Sequence, residues 1–359
     1  MEEQKVIISE HLEQALTAEL SLHNFDRLFV VCDRHTRRCC LTVIGELPPV
    51  AAADVITIDE GDDHKTLSAV EYVWTELQKR GATRHSLVVN LGGGMVTDLA
   101  GFAVSTFKRG LHFINIPTTL LAMVDASVGG KTGFNFGGLK NEIGVFRNAD
   151  AVILDTVFLK TLDRDNILSG YAEMLKHSLI NNQDMLAELL AFDVEQPDLK
   201  RLGCMVADSV RVKQRIVLED PLEQGLRKAL NLGHTIGHAL ESMALSNPDR
   251  FRLASGSPVL HGYAVAWGLL CELYLSVAKC HFPTDRLRQV ADFILEHYGR
   301  MAITCDDYPT LLELMTHDKK NVAGQVNFTL LSNVGQLQLN QTATKDEIVE
   351  ALDFYREGM

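Results

Sequence analysis

The chain has 359 residues, 46% of them hydrophobic and 23% charged, a composition that excludes disordered and fibrous classes and leaves room for about two domains of roughly 150 residues each. Lys and Arg number 34 against 47 Asp and Glu, a net charge of −13, and so acidic a surface argues against nucleic-acid and membrane-surface partners. The opening MEEQKVIISEHLEQ has no basic segment before an apolar one, and no window approaches about 18 uninterrupted apolar residues, so a cytoplasmic protein is expected. Seven scattered cysteines without a C-x-x-C spacing predict reduced thiols rather than a disulfide framework or a cysteine-ligated zinc.

In chain order, strand-like runs fall at residues 28–33 (LFVVCD), 41–44 (LTVI), 54–59 (DVITID), 86–94 (SLVVNLGGG), 113–119 (FINIPTT) and 151–155 (AVILD), alternating with amphipathic stretches. That alternation predicts βαβ units around a largely parallel sheet over residues 1–163. From about Ile167 the periodicity becomes helical, as in AEMLKHSLINNQDMLAELLAF and LHGYAVAWGLLCELYLSVAK, which predicts a mostly α-helical domain over residues 164–359.

SLVVNLGGGMVTDLAGF reads as an apolar strand, a turn at Gly92, Gly93 and Gly94, and a helix, an order that brings glycine backbone to a pyrophosphate at the positive end of the helix. Thr97 stands where a strict G-x-G-x-x-G has its third glycine, so a tight turn without a ligand stays open. Asp33 ends the first such strand, where it is suited to a ribose diol or to capping the next helix. His234 and His238 lie four apart on one helical face, spaced to chelate a metal, but Thr235 takes the place of the glutamate of H-E-x-x-H and removes the support for peptidase chemistry. His261 opens a second apolar helix and Glu173 lies in a third, with His177 a rival ligand four residues on; two histidines and a carboxylate converging would make an open three-ligand site. Lys131, Lys140, Lys176, Lys213, Arg227 and the pair Lys319 and Lys320 are cations set among glycine-rich or apolar residues, a pattern that suits a phosphate- and carboxylate-binding pocket.

Together GGGMVTDLAGF, FKRG, IPTTLLAMVDASVGGKTGFN, LKNEIG, SGYAEMLKH, RKALNLGHTIGHALE and HGYAVAWGL make a chain that resembles the sugar phosphate cyclase family from about Asp33 to DKKN at 318–321. The resemblance implies an α/β fold in which a Rossmann-like NAD-binding domain precedes a mostly α-helical metal- and substrate-binding domain, usually in a homodimer. It implies conversion of a phosphorylated sugar acid, 3-deoxy-D-arabino-heptulosonate 7-phosphate, to 3-dehydroquinate and phosphate in the shikimate pathway. By the same resemblance Glu173, His234 and His261 take a divalent metal, zinc first and cobalt as the alternative, and His238 becomes a phosphate contact instead of a ligand. Lys131, Lys140, Asn141, Lys176, His238 and one of Lys319 and Lys320 are implied around substrate, Arg109 reaches in from the partner subunit, and Asp125, Lys213, Glu223, Arg227 and Asn231 complete the pocket. NAD is implied at Asp33, Asp62, Lys65, Gly93, Gly94, Asp98, Thr118, Thr119, Lys131, Lys140, Thr161 and Leu162.

Two departures are visible. Asp62 stands for the glutamate of the usual G-E-x-x-K, one methylene shorter, and Tyr263 for the glutamate of the usual H-G-E-A-V-A. Other ring-forming cyclases and metal-dependent polyol or alcohol dehydrogenases are the alternatives. The carboxylate-binding candidates Lys213, Arg227 and Asn231 weigh against the former, and the whole cation set against the latter. Arg227 and Asn231 are expected on one face if RKALNLGHTIGHALE is one helix.

Overall fold

The computed structural model of the protein describes residues 3–137, 139–316 and 326–358. It divides into two compact units, Met1–Asp163 with Asp198–Gln214, and Arg164–Pro197 with Arg215–Met359. The expected single cut after residue 163 does not include the return of Asp198–Gln214 to the first unit. There Gln214 Nε2 donates to the Gln4 carbonyl at 2.9 Å and Lys213 Nζ to the Asp125 carbonyl at 2.6 Å. Helical periodicity shows that a helix has an apolar face but not which unit receives it.

The first unit runs β1 (Val6–Ser9), α1 (Leu12–Ser21), β2 (Leu28–Asp33), α2 (Arg34–Cys39), α3 (Leu41–Ile44), α4 (Pro48–Ala51), β3 (Asp54–Ile58), α5 (Leu67–Lys79), β4 (Leu87–Gly92), α6 (Gly94–Thr106), β5 (His112–Pro117), β6 (Lys131–Phe136), β7 (Leu139–Phe146) and β8 (Ala151–Asp155). Among the described residues, six strands form a parallel sheet in the order β1-β8-β5-β4-β2-β3. LFVVCD and AVILD are buried along their whole lengths, as strands covered on both faces must be, and for that reason they read as continuous apolar runs. β2 pairs with β3 on one side and β4 on the other. The strand order therefore reverses at β2, and the crevice beyond the carboxyl ends of β2 and β4 is the topological switch point of the sheet.

LTVI is a helix and not the expected strand. It follows α2 through Cys40 and buries Ile44, and four β-branched or apolar residues are too few to set a period against that context. The antiparallel hairpin β6–β7 lies outside the parallel sheet.

The second unit comprises α7 (Arg164–Asn181), α8 (Gln183–Leu190), the end of α9 (Leu199–Glu219), α10 (His234–Ser246), α11 (His261–Cys280), α12 (Thr284–Tyr298), α13 (Tyr308–Thr316), the hairpin β9 (Asn327–Asn333) and β10 (Gln336–Thr342), and α14 (Lys345–Glu357). α11 is its axis and packs on α7, α10, α12 and α14. By length and composition it is apolar enough to cross a membrane, but 72% of its apolar window is buried in the protein, the pattern of a core helix.

Two glycines set how closely α11 approaches its neighbours. A Cβ on Gly262 would stand 1.9 Å from the Ser169 carbonyl oxygen of α7, and one on Gly268 would stand 2.0 Å from the Gly233 carbonyl oxygen at the start of α10. Backbone meets backbone at both crossings, which draws together His261, beside Gly262, and His234, beside Gly233.

Candidate metal centre and nucleotide site

In the first unit, several expected nucleotide-binding residues meet at the switch-point edge of the sheet. Gly93 is the N-cap of α6 and the helix has no side-chain cap, so its first amides and positive dipole end are open to an anion. The Thr118 amide donates to the Gly92 carbonyl at 3.0 Å, and a Cβ on Gly93 would lie 3.1 Å from Thr119 Cγ2. The turns after β4 and β5 are thus knitted together, with Gly93, Gly94, Thr118 and Thr119 side by side. Asp33 ends β2, and its carboxylate caps α2 by accepting from the Thr36 amide at 2.7 Å. The capping alternative is therefore realised at a position that also belongs to the switch point. Thr161, exposed, and Leu162, half-buried, close a 3-10 turn after β8.

Beside this edge lies a set of paired charges. Lys65 is buried and its Nζ donates to Asp98 Oδ2 at 2.6 Å and Asn141 Oδ1 at 2.5 Å. Burial pushes the Asp98 carboxyl above its ordinary value, against the pull of Lys65. Lys213 Nζ contacts Asp125 Oδ1 at 2.5 Å, and Lys140 pairs with the partly exposed Asp62 at 3.1 Å. The shorter Asp62 thus faces a lysine, while the buried Lys65 four positions from Gly61 turns to Asp98. Lys131 is the exposed first residue of β6. Arg109 is exposed, with Lys108 and Arg109 both at positive φ, 49° and 72°, a turn that holds two consecutive non-glycine residues in the left-handed region. Lys319 and Lys320 lie outside the described residues.

The second unit brings Glu173, His234 and His261 to one point. Glu173 is fully buried on α7, and His234 and His261 are the first residues of α10 and α11. Nε2 of His234 and Nε2 of His261 each lie 3.4 Å from the same oxygen, Glu173 Oε1. The second nitrogens fix the chemistry of the first. His234 Nδ1 is 3.1 Å from the Leu232 carbonyl, which can only accept, and His261 Nδ1 is 3.2 Å from Glu241 Oε2. With Nδ1 turned to an acceptor in both rings, it is Nε2 of each that converges on the buried carboxylate and that, deprotonated, is placed to ligate a cation. Neither Glu173 oxygen has a hydrogen bond of proper geometry, although the Lys176 ammonium is paired with Oε2. Such a constellation of two nitrogens and an oxygen suits a divalent transition ion.

Electrostatics sharpen the picture. Against full burial, Lys176 and His234 hold the Glu173 carboxyl well below its ordinary value. Burial, with Lys176, holds His234 down to about 3, while Glu241 and Glu173 overcome burial and push His261 up to about 10. Positive charge is therefore favoured on the His261 side.

His238, half-buried, packs its ring 5.1 Å from that of His234 and 5.8 Å from that of His261, and by proximity these three rings also form a trio able to hold a metal. His177 is fully buried one turn beyond Glu173. Residues 226–231, which carry Arg227 and Asn231, form a 3-10 turn closed off by Gly233 at φ 79°, so they are not a continuation of α10. At three residues per turn, positions four apart no longer share a face. Arg227, 2% exposed, donates to the Pro221 carbonyl at 2.8 Å, and Asn231 Nδ2 donates to Glu223 Oε1 at 3.0 Å. Tyr263 packs against Trp267 and Tyr298 and donates to Asp165 at 2.9 Å.

Residues 55–169 match the family model described as "3-dehydroquinate synthase N-terminal", and residues 170–321 the one described as "3-dehydroquinate synthase C-terminal". A 3-dehydroquinate synthase of Parabacteroides distasonis is 51% identical over 358 residues, covering 100% of this chain and 99% of the relative. The chain belongs to the 3-dehydroquinate synthase family. Like the rest of that family it is an enzyme of the sugar phosphate cyclase group, and its fold is shared with two solved cyclases. A 2-deoxy-scyllo-inosose synthase complexed with carbaglucose-6-phosphate, NAD+ and Co2+ superposes with a TM-score of 0.84 at 23% identity, over 99% of this chain and 96% of that one. The 2-epi-5-epi-valiolone synthase of Streptomyces hygroscopicus subsp. jinggangensis, with NAD+ and Zn2+ bound, gives 0.83 at 24%, over 99% and 98%.

Two carboxylates of this 3-dehydroquinate synthase family member were not reached from sequence. Glu241 touches His261, and the fully buried Glu272 of α11 accepts from the amides of Gly233, Thr235 and Ile236 at 2.6, 2.9 and 3.2 Å. Each is a charged residue at a buried position of an apolar helix. That is the one signal in the sequence that points to them.

Proposed function

We propose that this chain closes 3-deoxy-D-arabino-heptulosonate 7-phosphate to 3-dehydroquinate with release of phosphate, as an NAD- and metal-dependent carbon–oxygen lyase acting as a cytoplasmic homodimer. The observation that carries the reading is the convergence of two imidazole Nε2 atoms on the Glu173 carboxylate beside Lys176. Glu173, His234 and His261 hold the metal in this reading, and the open N-terminus of α6 with Gly93, Gly94, Thr118 and Thr119 takes the NAD pyrophosphate. Asp33, Asp62, Lys65, Asp98, Lys131, Lys140, Thr161 and Leu162 make up the rest of the cofactor set. When bound, NAD+ supplies a reversible hydride acceptor, and a zinc or cobalt ion supplies acidification of a secondary alcohol.

The chain's own residues then bind and orient. Arg227, Lys213 and Asn231 take the substrate carboxylate, with a guanidinium able to engage both oxygens. Asp125 and Glu223 hold Lys213 and Asn231 in place through the contacts described above. Lys131, Lys140, Asn141, Lys176 and His238, with Arg109 of the partner subunit, surround the phosphate and the hydroxyls. A transient ketone acidifies the C–H on the carbon next to it, loss of that proton expels phosphate from the carbon beyond, and ring closure is an intramolecular aldol step. Both depend more on prepositioned donors than on a nucleophile.

The test is phosphate release from the heptulosonate phosphate with substoichiometric NAD+. Many turnovers per cofactor with no lasting rise in NADH absorbance are expected. Stoichiometric NADH, or faster turnover of glucose 6-phosphate or sedoheptulose 7-phosphate, overturns the reading.

A further inference from the structure

α10 and α11 each carry a buried acidic residue whose partner is on the other helix. Glu241 of α10 lies 3.2 Å from Nδ1 of His261 on α11, and Glu272 of α11 accepts three amides from the first turn of α10. The two carboxylates do different work. Glu272 compensates a helix that begins at an uncapped glycine, Gly233, and is a part of the fold. Glu241 has no helix end to cap, since it lies in the interior of its own helix with its side chain 7% exposed. The ring it faces is one whose other nitrogen points at Glu173.

An imidazole on the first residue of a helix has two flips that pack almost alike, and they exchange which nitrogen faces inward. A carboxylate on one side selects the flip that donates to it and leaves the unprotonated Nε2 on the other side. His234 is fixed by a neutral carbonyl, that of Leu232, so the two rings differ in the charge of the group behind them. We propose that Glu241 is the positioning residue of this site. It fixes the tautomer and orientation of His261 and, as an anion behind the ring, raises the strength with which His261 binds a divalent ion. The proposal rests on the reading that Glu173, His234 and His261 hold that ion.

The experiment is Co2+ titration of the full-length apo-protein, read by the visible d–d absorption of the ion and by Zn2+ competition. Wild type is compared with Glu173→Ala, Glu241→Gln and Glu241→Leu, and the thermal midpoint of each metal-free protein is recorded. Glu241→Gln keeps shape and an acceptor but removes the charge, and Glu241→Leu removes both. The expected result is a loss of affinity of roughly tenfold to a hundredfold, larger for Leu than for Gln, with an altered d–d band and an unchanged metal-free midpoint. Wild-type affinity and spectrum in both Glu241 variants, where Glu173→Ala has lost Co2+, overturn the positioning role and leave the metal site standing. Loss of affinity with an equal fall of the metal-free midpoint in both variants overturns it in favour of support of the fold. Equal Co2+ binding by wild type and Glu173→Ala overturns the metal reading itself.

Discussion

Replacing Gly268 with Ala tests whether the helix crossing at α10 and α11 is what brings His234 and His261 together. The added Cβ would stand 2.0 Å from the Gly233 carbonyl oxygen and 2.7 Å from the Gly237 amide nitrogen. Both neighbours are backbone, so no flexible side chain can turn aside. Restoring a normal contact requires the two helices to part by at least about 1 Å, at a cost near the upper end for overpacking, about 3 kcal/mol. The better helix propensity of alanine returns only about 0.5–1 kcal/mol. Since the Gly233 carbonyl is adjacent to His234, that separation is taken up where His234 meets Glu173. Urea denaturation of the metal-free protein should show the loss of stability, and Co2+ titration should show weaker binding. The control is Gly203→Ala in α9, where the added Cβ meets Thr156 Cγ2 at an ordinary 3.5 Å, and stability is expected to rise by up to about 1 kcal/mol. A Gly268→Ala protein with the wild-type urea midpoint and wild-type Co2+ affinity would refute the argument.

Three further outcomes are expected. Glu173→Ala removes the oxygen on which both imidazoles converge, so elemental analysis after dialysis should find metal lost while NAD+ binding to the separate first unit persists. Arg227→Ala should weaken the substrate by a charge-assisted contact, about 1.5–3 kcal/mol or roughly ten- to hundredfold in kcat/KM, with metal content unchanged. Asp307 accepts from both terminal nitrogens of Arg250 at 2.7 Å and from the Thr304 amide at 2.7 Å, and hydrogen bonding to Arg250 holds its carboxyl below the ordinary 3.8. A depressed folded value means the stabilisation is complete above 3.8 and is lost as pH falls through the folded value. Asp307→Asn should therefore cost about 1–2 kcal/mol in urea melts at pH 7, tempered by the half-exposed Arg250, and its melts should converge with wild type as the pH is taken below 3.8.

The legible parts of this protein are those in which chemistry and local geometry coincide in a few consecutive residues. The triple glycine after an apolar strand specifies a strand, a turn and a helix in seventeen residues, and the structure places it at the reversal of strand order. The histidines of GHTIGH and HGYAV stand out because imidazoles are rare in apolar helices. The rest depends on which residues meet across the fold. Glu241 and Glu272 acquire meaning only when α10 and α11 are seen to cross, and the glycines that permit the crossing, Gly262 and Gly268, read in sequence as weak points of a helix. The 3-10 turn at 226–231 was hidden for the same reason, since its apolar spacing is compatible with α10 continuing upstream, and the break is made by a single glycine at φ 79°. In this fold the glycines set the distances between helices, and a buried acid, Glu241, stands behind the ring of His261. The convergence of the two histidines on Glu173 is therefore the last step of a construction whose earlier steps are written in residues that are not consecutive with them.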